Sequence, residues 1–157
     1  MTETQAQSAA SGTAAAEPIS LRIERWFDAP RELVFEAWTD PEHLAKWWGP
    51  EGVTVPVYEV DARVGGKFRT CMAGPDGSEN WVQGVYREVE PPGKLVFTWA
   101  WEEDGVPGHE TLVTVELFET DGGTNLVMTH EGFETEESCQ MHNMGWSSSL
   151  NCLETAL

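Results

Sequence analysis

Basic side chains are scarce, with 9 Lys and Arg against 27 Asp and Glu in 157 residues and a formal net charge of −18. Nucleic-acid affinity comes from neutralising phosphates with Lys and Arg, so neither DNA nor RNA is expected as a partner. An anionic membrane surface is disfavoured for the same reason. Long apolar runs are missing too, and none approaches the roughly 18 residues that a spanning helix needs, so no membrane insertion is expected. Cysteine is limited to Cys71, Cys139 and Cys152, an odd number without paired spacing. That is not a disulfide framework and suits a reducing compartment. No basic segment followed by an apolar one opens the chain, so a secretion signal is not expected and the location reads as cytoplasmic. The acidic excess reads as a solvated surface that favours solubility.

What is present is enough hydrophobic residue, 40% of the chain, for one domain and not two. Residues 1–18 are Ala, Ser, Thr, Gln and Glu with almost nothing large and apolar. They cannot repay their ordering entropy by burial and read as a disordered tail before a single domain over 19–157. Ile19, Leu21 and Ile23, with Trp26 or Phe27, alternate as a first strand. Asp28 before Ala29-Pro30 signals a helix start, with Asp28 as the cap and Leu33, Val34, Ala37 and Trp38 as the apolar face. Asp40-Pro41 opens a second short helix, on which Leu44, Trp47 and Trp48 fall at i, i+3 and i+4 before Gly49-Pro50 ends it.

From Val53 to His130 the period becomes strand-like, in six segments: Val53–Val60, Lys67–Met72, Trp81–Val89, Leu95–Trp101, Thr111–Phe118 and Thr124–His130. Gly65-Gly66, Pro75-Asp76-Gly77, Pro91-Pro92-Gly93 and Asp121-Gly122-Gly123 supply turns between them. Glu102, Glu103 and Asp104 read as an acidic, solvated loop. After Gly132 the pattern is helical, and Trp146, Leu150, Leu153 and Leu157 form a stripe that continues back to His142 and Cys139. Glu134, Glu136 and Glu137 favour the N-terminus of that helix. The sum is an α+β fold in which a curved antiparallel sheet grips a long C-terminal helix, with two short helices after strand one.

Asp40-Pro41-Glu42, then Trp47-Trp48-Gly49-Pro50, Asp61 to Gly66, Pro75-Asp76-Gly77 and Gly145-Trp146 recur in this order in a known group. Over about Ile19 to Leu157 the chain resembles the START-like (SRPBCC) helix-grip superfamily, and within it the activator of Hsp90 ATPase homologue 1-like family. The resemblance implies the helix-grip fold. It leaves the activity open, because that scaffold hosts lipid carriers, cyclases, resistance proteins and a co-chaperone domain. The eponymous co-chaperone has a further N-terminal domain where this chain has a short tail, so an Hsp90-type chaperone is not expected as partner. A homodimer stays open.

Eight tryptophans are the most unusual compositional feature. Strand parity puts Phe68 with Met72, Leu95 with Phe97, Trp99 and Trp101, and Leu126 with Met128 and His130 on shared faces. If these faces meet the helix, His130 approaches His142. Trp48, Phe68, Met72, Trp99, Met128, His130, His142, Gly145 and Trp146 are therefore the candidate ligand-binding residues, aromatics supplying contact area and histidines orientation. Cys139, His142 and His130 lack the spacing of a tetrahedral metal site. Gly65-Gly66 lacks the strand-to-helix context of a phosphate loop, and Ser147–Ser149 lack a nucleophile elbow. No cofactor, metal or catalytic residue is expected. The reading is a hydrophobic or aromatic small molecule bound between sheet and helix without catalysis. The alternatives are a cyclase, hydrolase or isomerase working through His130 or His142, and a co-chaperone-like interaction module.

Overall fold

A computed structural model describes residues 19–157; the expected tail lies outside the described residues. The elements in chain order are β1 (Ile19–Phe27), α1 (Arg31–Thr39), α2 (Pro41–Leu44), β2 (Thr54–Val60), β3 (Lys67–Ala73), β4 (Glu79–Glu90), β5 (Lys94–Glu103), β6 (Val106–Pro107), β7 (Thr111–Thr120), β8 (Gly123–Phe133) and α3 (Glu136–Ala156). Every strand pairing is antiparallel, in the order β1-β8-β7-β5-β4-β3-β2, with β6 hydrogen-bonded to β5 alone. Register shifts at Thr54/Val57, Tyr86/Glu88 and Glu131/Phe133 insert extra residues that bend the strands and curve the sheet. At Gly84 an added Cβ would lie 1.9 Å from the Thr98 carbonyl and 2.4 Å from the Phe68 ring. Only glycine lets β4 and β5 approach under that ring.

Strand parity works as the sequence indicates. Phe68 and Met72, then Leu95, Phe97 and Trp99, then Val113, Val115 and Leu117, then Leu126, Met128 and His130 all belong to the core, whereas Trp101, the last residue of the β5 set, is exposed. α3 lies against β1 and β8, and α1 against β7 and β8. The buried residues of α3 are Cys139, Trp146, Ser149, Leu150 and Leu153; of the expected stripe His142 and Leu157 are half-buried, Leu157 lying just past the helix end, and Ser149 joins the buried face. Thr135 caps α3 by accepting the Ser138 N–H at 3.1 Å, and Glu136 and Glu137 occupy the first turn.

Three local expectations are corrected. Asp28 does not cap α1: the N-cap is Pro30, without a side-chain bond, and its carbonyl accepts from Leu33 at 3.0 Å and Val34 at 3.1 Å. Asp28 sits too early for its carboxylate to reach the amides a cap must serve. α2 is one turn, and the Trp47 and Trp48 amides both close on the Leu44 carbonyl before Gly49, at φ +92°, redirects the chain. Glu102–Asp104 is no loop. Glu102 and Glu103 belong to β5, and Asp104-Gly105, at φ 53° and 81°, makes a tight hairpin into β6. Asp121-Gly122 repeats that geometry between β7 and β8. The Glu102 side chain is 2% exposed, held by both Nε and Nη2 of Arg69 (2.7 and 2.9 Å) and by Gln83 (2.7 Å), which keep its carboxyl below the usual range.

Among the described residues no helix is long and apolar enough to cross a membrane, and all three cysteines are free. Burial raises each thiol above its ordinary pKa, so none is a thiolate nucleophile at neutral pH.

Candidate functional site

Much of the space between sheet and helix is filled by the chain's own rings. Trp38 stacks on Trp146 at 5.9 Å and meets Trp47 edge-on at 4.6 Å; Trp48 lies 5.7 Å from Trp99, and Trp99 lies 5.1 Å from Trp146. Such tilted and edge-to-face contacts add to the area each indole buries. What stays open is a cleft of about 310 Å³ beside the N-terminal half of α3. Its walls are Trp48, Gly49 and Pro50 from the segment after α2, Met72 of β3, Asn80 of β4, Trp99 and Trp101 of β5, and Met141, His142, Gly145, Trp146 and Ser149 of α3. No Lys, Arg, Asp or Glu is among them. Gly145 keeps the roof thin, since a Cβ there would touch only Pro50 Cγ, at 3.9 Å.

A second space of about 380 Å³ lies on the other side of Trp99, Trp101 and His142, which border both. It is more polar, with Glu102, Glu103, His109 and Glu134 on its walls. The partition is a bond: the Trp101 indole N–H donates to His142 Nε2 at 2.9 Å. With that nitrogen accepting, the proton sits on Nδ1, which donates to the Ser138 carbonyl at 2.7 Å.

His130 is fixed in the same way by a different indole. Trp146 Nε1–H donates to its Nδ1 at 3.0 Å. Its Nε2 therefore carries the proton and donates to Thr111 Oγ1 at 2.7 Å, and that hydroxyl donates onward to the Trp99 carbonyl at 3.1 Å. The two imidazoles stand 5.2 Å apart, edge to face. Burial, with His142 adding to it, pulls the His130 pKa down to about 3, and burial lowers His142 as well, against the opposing Ser138 carbonyl. Both rings are neutral at physiological pH.

Of the nine residues the sequence proposes, Trp48, Met72, Trp99, His142, Gly145 and Trp146 border the cleft. Phe68, Met128 and His130 do not; they lie behind it, buried in the core. The cleft also includes Gly49, Pro50, Asn80, Trp101, Met141 and Ser149. Trp101 follows Trp99 by one strand period, and Met141 and Ser149 share a helical stripe with Gly145, so period alone could have found those three. Nothing in the sequence points to Asn80. Among the described residues one trio, Glu36, Asp40 and His43, brings possible metal ligands within 4.8 Å of one another. It lies where α1 meets α2 and is no part of the cleft.

A curved antiparallel sheet closed by a C-terminal helix, with an aromatic cleft beneath that helix, defines a START-like helix-grip protein. The chain belongs to the family described as activator of Hsp90 ATPase homolog 1-like protein, whose model matches residues 28–157. The solved AHSA1 protein of Silicibacter pomeroyi is 33% identical with a TM-score of 0.81, over 87% of this chain and 96% of that one. A Chromobacterium violaceum protein is 32% identical with a TM-score of 0.79, over 87% and 94%. A Mycobacterium smegmatis protein is 28% identical with a TM-score of 0.76, over 88% and 90%. No curated protein matches the chain.

Proposed function

We propose that the protein binds an apolar or aromatic small molecule in the cleft between β5 and α3, without chemistry. One observation carries this reading: the cleft is walled by four indoles and two methionines and has no charged side chain. Its volume, about 310 Å³, is at the small end of ligand pockets, and an apolar lining with few polar groups is what such pockets share. Catalysis is disfavoured by the histidines. Each ring nitrogen of His130 and His142 is already bonded within the protein, which leaves neither imidazole free to move a substrate proton.

The test is native mass spectrometry of the protein from its own host, followed by a tryptophan-fluorescence titration with bicyclic aromatics. Saturable one-to-one quenching that disappears in Gly145→Leu, whose side chain would occupy the cleft, supports the reading. Quenching that never saturates, or that survives Gly145→Leu unchanged, overturns it.

A further inference from the structure

The corner between α1 and α2 gathers three side chains that can each donate a lone pair. Glu36, Asp40 and His43, spaced i, i+4 and i+7, bring one ligand atom each to within 4.8 Å of one another. Their backbone is fixed. The Asp40 N–H donates to the Glu36 carbonyl at 2.8 Å, the Leu44 N–H to the Asp40 carbonyl at 2.8 Å, and the Trp47 indole N–H to the Ala37 carbonyl at 2.8 Å. The side chains, by contrast, are unengaged. His43 Nδ1 is shut off from water and has no hydrogen-bond partner, a costly condition for a polar atom. Asp40 stands at the N-cap of α2 yet makes no side-chain bond to that turn. Among the described residues neither Glu36 nor Asp40 pairs with a Lys or Arg. Two carboxylates thus stand close together, unneutralised, in a protein of net charge −18.

We propose that Glu36, Asp40 and His43 form a site, separate from the cleft, for one divalent transition-metal ion of the Zn²⁺ class. The donors select the ion. One imidazole nitrogen with two carboxylates suits a borderline ion such as Zn²⁺, whereas Mg²⁺ and Ca²⁺ favour oxygen ligands throughout. The spacing fits as well. His43 Nδ1 stands 4.0 Å from Glu36 Oε1, too long for a hydrogen bond and near the sum of one Zn–N and one Zn–O bond of about 2.0–2.2 Å each. Closing to a tetrahedral edge of about 3.4 Å needs only side-chain movement. Glu36, whose side chain is 57% exposed, swings aside to admit the ion and back to hold it, with water in the fourth position. The ion gives His43 Nδ1 the partner it lacks and offsets the paired negative charge.

Zinc titration of the metal-stripped full chain at pH 7 tests the site. Calorimetry should give one saturable Zn²⁺ per chain and no comparable binding of Mg²⁺. In ¹H–¹⁵N spectra of the imidazoles the Nδ1 resonance of His43 should shift, while those of His109 stay in place. Glu36→Gln, Asp40→Asn and His43→Gln should each weaken Zn²⁺ binding about tenfold or more, since removing even a ligand's supporting bond costs that much. Glu36→Gln changes an exposed side chain and so keeps the test open should His43→Gln fail to fold. Glu134→Gln is the control: Glu134 stands 3.9 Å from His109 Nδ1 in a two-donor pair, and its loss should leave the affinity unchanged. Saturating Zn²⁺ should also raise the thermal midpoint of wild type and not that of Glu36→Gln. No saturable binding, Mg²⁺ binding as tight as Zn²⁺, an unmoved His43 resonance, or an affinity that Glu36→Gln leaves intact or Glu134→Gln reduces equally overturns the site.

Discussion

Trp146 and His130 form a buried pair in which the indole N–H donates to Nδ1 at 3.0 Å, tying the middle of α3 to the end of β8. The bond sets the imidazole tautomer and thereby the direction of the chain through Thr111 to the Trp99 carbonyl. One helix side chain thus orders a polar thread through an otherwise apolar core.

Replacing Trp146 tests that thread. Trp146→Ala removes a large buried ring and orphans His130 Nδ1, so stability should fall by about 3–5 kcal/mol. Trp146→Phe keeps most of the ring and loses the donor, and should cost about 1–3 kcal/mol. Urea midpoints at pH 7 read both; a Phe variant as stable as wild type would show that the bond contributes nothing.

Acid should weaken the fold through His130. Its folded pKa, about 3, lies below the ordinary 6.5, so as pH falls the unfolded chain takes up the proton first. Stability is then complete above about pH 6.5 and declines toward pH 3, at up to about 1.4 kcal/mol per pH unit from this ring. His142 acts in the same direction, since burial lowers it too. The groups around the His130 ring are Trp99, Thr111, Phe133, His142 and Trp146, none a carboxylate. Urea unfolding between pH 7 and pH 5, above most carboxylate titration, should show the decline in wild type and a flatter profile in His130→Gln.

The second indole–imidazole pair should behave differently. Trp101 is 36% exposed, so in His142→Ala its freed N–H turns to water, and stability should change by less than about 1 kcal/mol. The wall between the two spaces loses its anchor, and affinity for an aromatic probe should drop more than stability does. Parallel denaturation and fluorescence titrations check this. A stability loss equal to that of Trp146→Ala would contradict it.

Two glycines should respond in opposite ways. Gly145→Ala places a Cβ in ordinary contact with Pro50 and removes a flexible residue from α3, so it should stabilise by about 0.5–1 kcal/mol. Gly84→Ala drives a Cβ to 1.9 Å from a backbone oxygen and should abolish folding. Thermal melts of the two proteins decide both points.

The amino-acid pattern by itself determined the scaffold. Period two in the strands, the stripe from Cys139 to Leu153, the Asp121-Gly122 turn and the series of Trp-Gly-Pro, Asp-Gly and Gly-Trp motifs specify the curved sheet, the gripped helix and the family. These are local signals, written in neighbouring residues. Where the signal was weaker the local structure departed from it: Asp104-Gly105 sits inside an acidic run, which hides a hairpin, and Asp28 lies two residues ahead of the proline that starts α1.

Tertiary structure alone decided which of the aromatic residues fill the core and which face open space. Trp99 and Phe68 share strand parity and burial, yet one borders the cleft and the other lies behind it, because only packing across β3, β5 and α3 sets how far each ring is covered. The same holds for proton positions on His130 and His142. Each depends on an indole N–H arriving from a distant element, Trp146 across 16 residues and Trp101 across 41. Hydrogen-bond partners of that kind are a property of the fold's geometry, which no spacing along the chain encodes.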